Sequence, residues 1–173
     1  MTRNSNDLGN HRGFSLLEVT IAMVVLLIGL GGMMNVFVIA VSQNASQEDA
    51  TRTTEYAQDK MEQLMALSFA DAATNTTVYP PAASGGTGLG STMAANATVG
   101  SINSASPASG YVDYLSSTGA LLTSSSGAYY VRQWTIGADA SAKLKTITVY
   151  SRAMKSLTRG SAPSTTLVSI ESQ

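Results

Sequence analysis

The sequence predicts an α+β chain in which one long N-terminal helix packs on a small antiparallel sheet of about three to four strands. Three observations carry that expectation. Phe14 to Val41 is a run of 28 residues with a single charge, Glu18. From Ser42 to Phe69, apolar and small residues return with the 3.6-residue period of a helix. After Tyr129 the period changes to two, the alternation of half-buried strands. The chain then divides into residues 1–13, an apolar helix 14–41, its amphipathic continuation 42–71, a region 72–128 poor in bulky side chains, and a C-terminal sheet 129–173.

Composition narrows the function classes. Only 12% of the 173 residues are charged, about half the ~25% of ordinary soluble domains. Ten Lys plus Arg against eleven Asp plus Glu give a net charge of −1, which argues against a strongly basic nucleic-acid binder. There is no Cys, hence no disulfide framework, no zinc-thiolate site and no cysteine nucleophile. The one His, His11, precedes the apolar run.

That run fits a bilayer. Val19 to Val41 is 23 uncharged residues, ~35 Å of helix against a hydrocarbon core of ~30 Å. A buried core helix is the alternative, but such helices rarely run so long without a polar face. Arg3, Arg12 and His11 against Asp7 precede the run, while Glu48, Asp49 and Arg52 follow it. The positive excess predicts a single pass with a cytoplasmic N-terminus and the rest of the chain across the membrane. A secretory signal cut near Ala40-Val41-Ser42 competes, but its apolar core would be only ~7–15 residues. That reading also leaves Glu18 without a purpose. An acidic side chain in a membrane helix costs up to ~3 kcal/mol at the centre and less towards the end, so it needs a partner or a role.

The residues around Glu18 read Arg12-Gly13-Phe14-Ser15-Leu16-Leu17-Glu18. This resembles the class III leader of type IV prepilins and pseudopilins. The resemblance implies a pilin-like fold and a membrane-embedded aspartyl peptidase that cuts between Gly13 and Phe14 and then methylates the Phe14 amine. It further implies that Glu18 pairs with the Phe14 amine of a neighbouring subunit. Physical chemistry agrees: Gly13 offers no side chain to a narrow active site, and opposite charges at ~4 Å attract well above their ~1 kcal/mol in water once water is removed. Implied partners are the peptidase/methylase, other pilin or pseudopilin subunits, an inner-membrane assembly platform and, before assembly, lipid. No cofactor is called for.

In the second half, Ala50, Thr54, Ala57, Met61, Leu64 and Leu67 share one face. Glu48, Arg52, Glu55, Asp59 and Glu62 occupy the other, either as a solvated face or as an acidic stripe for a basic neighbour. Gly29, Gly31 and Gly32 make the middle of the apolar half its softest point, each costing roughly 1 kcal/mol against Ala. They serve either close helix–helix approach or local unwinding, a change reported for pilins. Where many major pilins carry a proline in this helix, this chain has Asn35, so any kink must come from the glycines.

From Ala72 to Tyr130, 38 of 59 residues are Ala, Ser, Thr or Gly and Asp113 is the only charge, which predicts loops and short edge strands. Tyr79, Tyr111, Val112, Tyr114 and Leu115 are the candidate local anchors, and Gly85 to Gly90 reads as a flexible surface loop. Strands follow at Tyr129–Ile136, with Tyr130, Trp134 and Ile136 on one side, at Leu144–Tyr150, with Ile147 and Val149 inward, and at Thr166–Ile170, with Val168 and Ile170 inward after a break at Gly160 and Pro163. They should lie on the Ala57–Leu64 face and bury Trp134. This strand pattern is similar to minor pilins of the PilV kind.

Val131 to Gly160 holds six bases, Arg132, Lys143, Lys145, Arg152, Lys155 and Arg159, against Asp139, whereas Ser42 to Asp71 holds six acids and two bases. The bases read as outward strand and turn positions, or as a surface for the next subunit's acidic stripe. DNA capture is disfavoured on so thin an electrostatic footprint. An enzyme is disfavoured too, since after Gly13 neither His nor Cys remains to act as base or nucleophile. The resemblance therefore implies a minor, initiating or tip-associated subunit of a type IV pilus. A minor pseudopilin of a type II secretion system is the alternative, and an uncut anchored periplasmic domain or a DNA-uptake pilin stand behind both.

Overall fold

The computed structural model describes residues 14–90, 93–155 and 162–173. Helix α1 spans Leu16–Met65, and strands follow in the order β1 Thr98–Gly100, β2 Val112–Leu115, β3 Leu121–Leu122, β4 Tyr130–Ala138, β5 Leu144–Ala153 and β6 Ser164–Ser172. The chain forms two compact units, Met1–Val41 and Ser42–Gln173, and α1 contributes to both.

In the first unit the apolar half of α1 buries none of its side chains. Two polar residues within it bond back to the helix: Thr20 Oγ1 donates to the Leu16 carbonyl at 2.9 Å and Asn35 Nδ2 to the Gly31 carbonyl at 3.2 Å. Such i→i−4 bonds satisfy polar atoms where lipid offers no partner. The helix is unbroken through Gly29, Gly31 and Gly32, and a Cβ at any of the three would meet open space.

In the second unit the helix packs on a six-stranded, wholly antiparallel sheet in the order β3-β2-β4-β5-β6. Six strands replace the expected three to four because the segment 72–128 contributes three short ones. β2 pairs with the Tyr130–Gln133 half of β4, and β1 pairs with Thr135–Gly137 along the same edge. Gly100 makes that second pairing possible: its φ is +83°, and a Cβ there would stand 2.2 Å from the Trp134 carbonyl oxygen.

The core joins helix to sheet. Ala57 and Leu64 pack with Trp134, Ile136, Ile147 and Val149, all fully buried, while Met61 and Leu67 close its margin. Tyr111 and Leu115 anchor the irregular region as expected, but Tyr79 is 81% exposed and anchors nothing. Gly85–Gly90 is not a free surface loop, because Leu89 sits in the core and its carbonyl accepts from Lys145 Nζ at 2.9 Å.

The third C-terminal strand has the opposite facing to that expected. Val168 and Ile170 are 63% and 62% exposed. Ser169 and Leu167 sit opposite Ile147 and Val149, and cross-strand partners share a face, so Val168 and Ile170 point outward with Thr148 and Thr146. Two of the six bases are likewise interior rather than outward, Arg132 and Lys145. The expected leader 1–13, the break at Gly160 and Arg159 lie outside the described residues.

Candidate functional site

The N-terminal motif begins with a helix cap. The Glu18 amide donates to Ser15 Oγ at 3.2 Å and to the Ser15 carbonyl at 3.1 Å. Ser15 is thus the N-cap and Glu18 the third helical residue, the Ser-x-x-Glu spacing of a capping box. The spacing stands in the sequence, but sequence reasoning treated Ser15 only as a small residue. Glu18 also lies where a carboxylate complements the positive end of the helix dipole. That interaction is local. It leaves the side chain exposed, and among the described residues no cation meets the carboxylate. Phe14, just ahead of the cap, is 82% exposed. Gly13 lies outside the described residues, and Gly29, Gly31 and Gly32 lie further along the same helix, outside this motif.

The second unit carries part of its charge in the interior, at Asp49, Lys60, Asp113, Arg132 and Lys145. Lys60 is fully buried, and its ammonium pairs with Asp113 Oδ2 at 2.7 Å, donates to the Thr76 carbonyl at 2.6 Å and lies 4.2 Å from the centre of the Trp134 ring. Arg132 donates to that same Asp113 oxygen at 2.8 Å through Nη2, and to Asp59 Oδ2 at 2.6 Å through Nη1. One buried carboxylate therefore holds two cations, from the helix and from β4. Near the start of this packed half, the Tyr130 hydroxyl donates to the buried Asp49 at 2.8 Å, and Thr54 and Thr165 hydroxyls meet at 3.0 Å.

These polar contacts cost free energy unless paired, and removing one partner from a buried pair typically costs ~3–5 kcal/mol. They act as directional cross-links between α1 and the sheet. Burial lowers the Lys60 pKa to about 8 despite the attraction of Asp113. Its ammonium reaches no solvent, so that depressed basicity belongs to packing. Among the described residues no three His, Cys, Asp or Glu side chains gather as a metal site would need.

Sequence reasoning missed this cluster: Asp59 is exposed as expected, but Arg132, expected on the outer face, is buried and reaches it from β4. The available signal was Asp113, the only charge in a segment of 59 residues of which 38 are Ala, Ser, Thr or Gly. A lone acid in such a segment has to meet a base from elsewhere or remain solvated.

Residues 8–34 match the family described as Prokaryotic N-terminal methylation motif. No curated protein and no solved structure matches the chain. The match takes in the last residues of the expected leader 1–13 and the first part of α1, and does not reach the strands. A methylation motif that runs into an uncovered apolar helix, ahead of an antiparallel sheet packed on that helix's second half, supports placing the chain in the type IV pilin and pseudopilin family.

Proposed function

We propose that the chain is a minor, initiating or tip-associated, structural subunit of a type IV pilus. In this reading a prepilin peptidase cuts between Gly13 and Phe14 and methylates Phe14. The subunit waits in the inner membrane with its C-terminal unit in the periplasm, then enters the fibre through its N-terminal helix. The observation that carries it is Glu18: a carboxylate at the head of an apolar helix, with no cation among the described residues, inside a methylation motif. A cationic chain end on a neighbour answers that charge. The PilV-like strand pattern and the absence of Cys favour a minor subunit over the major one. No catalytic role is assigned.

A minor pseudopilin of a type II secretion system is the second reading, because the leader and helix serve both machines. Neighbouring genes for a retraction ATPase and other minor pilins would favour the pilus, and a secretion operon the alternative. The pairing itself is tested by Glu18→Ala, which should be cut and methylated normally yet be depleted from sheared fibres. Incorporation at the unaltered level would remove the pairing.

A further inference from the structure

The Ser42–Gln173 unit contains a cavity of about 750 Å³. Its lining comes from the outer flank of α1, the β2–β3 hairpin and the segment 77–79. Leu121 and Leu122 give it an apolar wall, Tyr56 and Tyr79 aromatic faces, and Glu55 and Asp59 an acidic side.

The walls are held in place. The segment bearing Tyr79 is closed by paired backbone bonds between Asn75 and Ala82, at 2.7 and 3.0 Å, and is fixed from beneath by the Lys60 bond to the Thr76 carbonyl. On the opposite wall the hairpin closes over Tyr56 at Gly119, where φ is +85° and a Cβ would stand 2.8 Å from the tyrosine hydroxyl oxygen. Yet Tyr79, on so firmly held a segment, is 81% exposed. An aromatic turned to solvent from a held backbone segment is a ready contact surface whose main chain loses little order on binding.

The charge is incomplete as well. Asp113 is answered by Lys60 and Arg132, and Asp59 by Arg132. Glu55 has no cation among the described residues, so the charged groups lining the cavity, Glu55, Asp59 and Arg132, leave one negative charge over. Arg132 also lines the cavity, but its side chain is only 2% exposed and both acids hold it.

We propose that this cavity seats a lysine or arginine side chain projecting from an extended segment of another protein. The alkyl stem lies along Leu121 and Leu122, the flank against the Tyr79 ring, and the charge against Glu55. A volume of about 750 Å³ is that of a pocket for a drug-sized ligand, which leaves room for backbone on either side of the cation. The inference concerns the second unit alone and stands whether or not Gly13 is cut.

The test uses the full chain in mild detergent and a labelled, capped peptide of alternating glycine and lysine, followed by fluorescence anisotropy. Saturable binding that weakens with added salt is expected. Tyr79→Ala and Glu55→Gln, both at exposed positions, should each weaken it by about fivefold or more. Glu62→Gln, on the same helix but outside the cavity, should leave it unchanged. Absence of saturable binding would overturn the proposal, as would unaltered affinity in both cavity variants or equal binding of a glycine–norleucine peptide. Cadaverine binding as tightly as the peptide would overturn the polypeptide occupant.

Discussion

The two halves of α1 use the same backbone for opposite purposes. From Leu16 to Val41 the side chains are almost all apolar, and every one is exposed. From Ser42 to Met65 the composition is polar, and Asp49, Thr53, Ala57, Lys60 and Leu64 are buried. Along α1, hydrophobicity is therefore the reverse of burial within the described residues. The first half is written for a surrounding the chain does not itself supply, lipid or another helix. The second half is written for the sheet, and it uses paired charges and hydroxyls where aliphatic residues would also have served. Such pairs depend on direction as well as distance, which apolar contact does not.

The comparison breaks most visibly at the buried charges. Asp113→Ala leaves the buried Lys60 without a counter-ion and Arg132 with Asp59 alone, and should destabilise the C-terminal unit by ~3–5 kcal/mol. Urea unfolding of the full chain in detergent, read from the single, buried Trp134, checks it. A midpoint close to that of the parent chain would mean the network contributes little.

A matched pair of truncations compares the two halves directly. Leu64→Ala removes a fully buried side chain and should cost ~2–5 kcal/mol by that same measurement. Leu27→Ala removes an exposed one and should leave the Trp134 transition where it was. Equal losses would show that the apolar half has cover within its own chain.

The pH dependence gives a smaller signal. Lys60 titrates at about 8 in the fold against an ordinary 10.5. Below about pH 8 both states hold the proton and the full cost of burying the charge is present. Between the two values the unfolded chain keeps a proton that the folded chain has released, so stability should rise with pH. Tyr130, whose hydroxyl is held above its ordinary value of 10.0 chiefly by burial and by its bond to Asp49, opposes this only at higher pH. Lys145, whose pKa is lowered chiefly by burial, adds to the rise in the same direction, so urea midpoints at about pH 7.5 and 9.5 should show it and Lys60→Gln should reduce it. An equal rise in that variant would assign the effect elsewhere.

The smallest effect belongs to the apolar half. Gly31→Ala enters open space on a helical backbone and should strengthen that turn by about 1 kcal/mol. Amide exchange across Ile28 to Met33 should slow, with the Trp134 unfolding midpoint unchanged. Unaltered exchange would show that Gly31 is not a soft point.

Periodicity and one short motif made a large part of this legible in the sequence. The 3.6 and 2.0 repeats name Ala57, Leu64, Trp134, Ile136, Ile147 and Val149, the residues that form the core. Phe14 and Glu18 stand out because a glycine and a lone acid are rare company for an apolar run. The polar core was not legible, because charge is ordinarily a surface signal. Asp59 and Arg132 differ by 73 positions, and only the fold brings them together. The short strands of the segment 72–128 were hidden by a composition that also suits loops. For β6 the alternation was visible but its sense was not: Thr165, Leu167, Ser169 and Glu171 face the helix side, and one residue of register turns every side chain over.

The central claim is that Glu18 awaits a cationic chain end made by cutting next to Gly13. Mass spectrometry of the intact protein recovered from producing cells tests it most directly. The account predicts a chain beginning at Phe14 and carrying a methyl group on its amine. A chain beginning at unmodified Met1, or at Gln43 after a secretory cut, would contradict it.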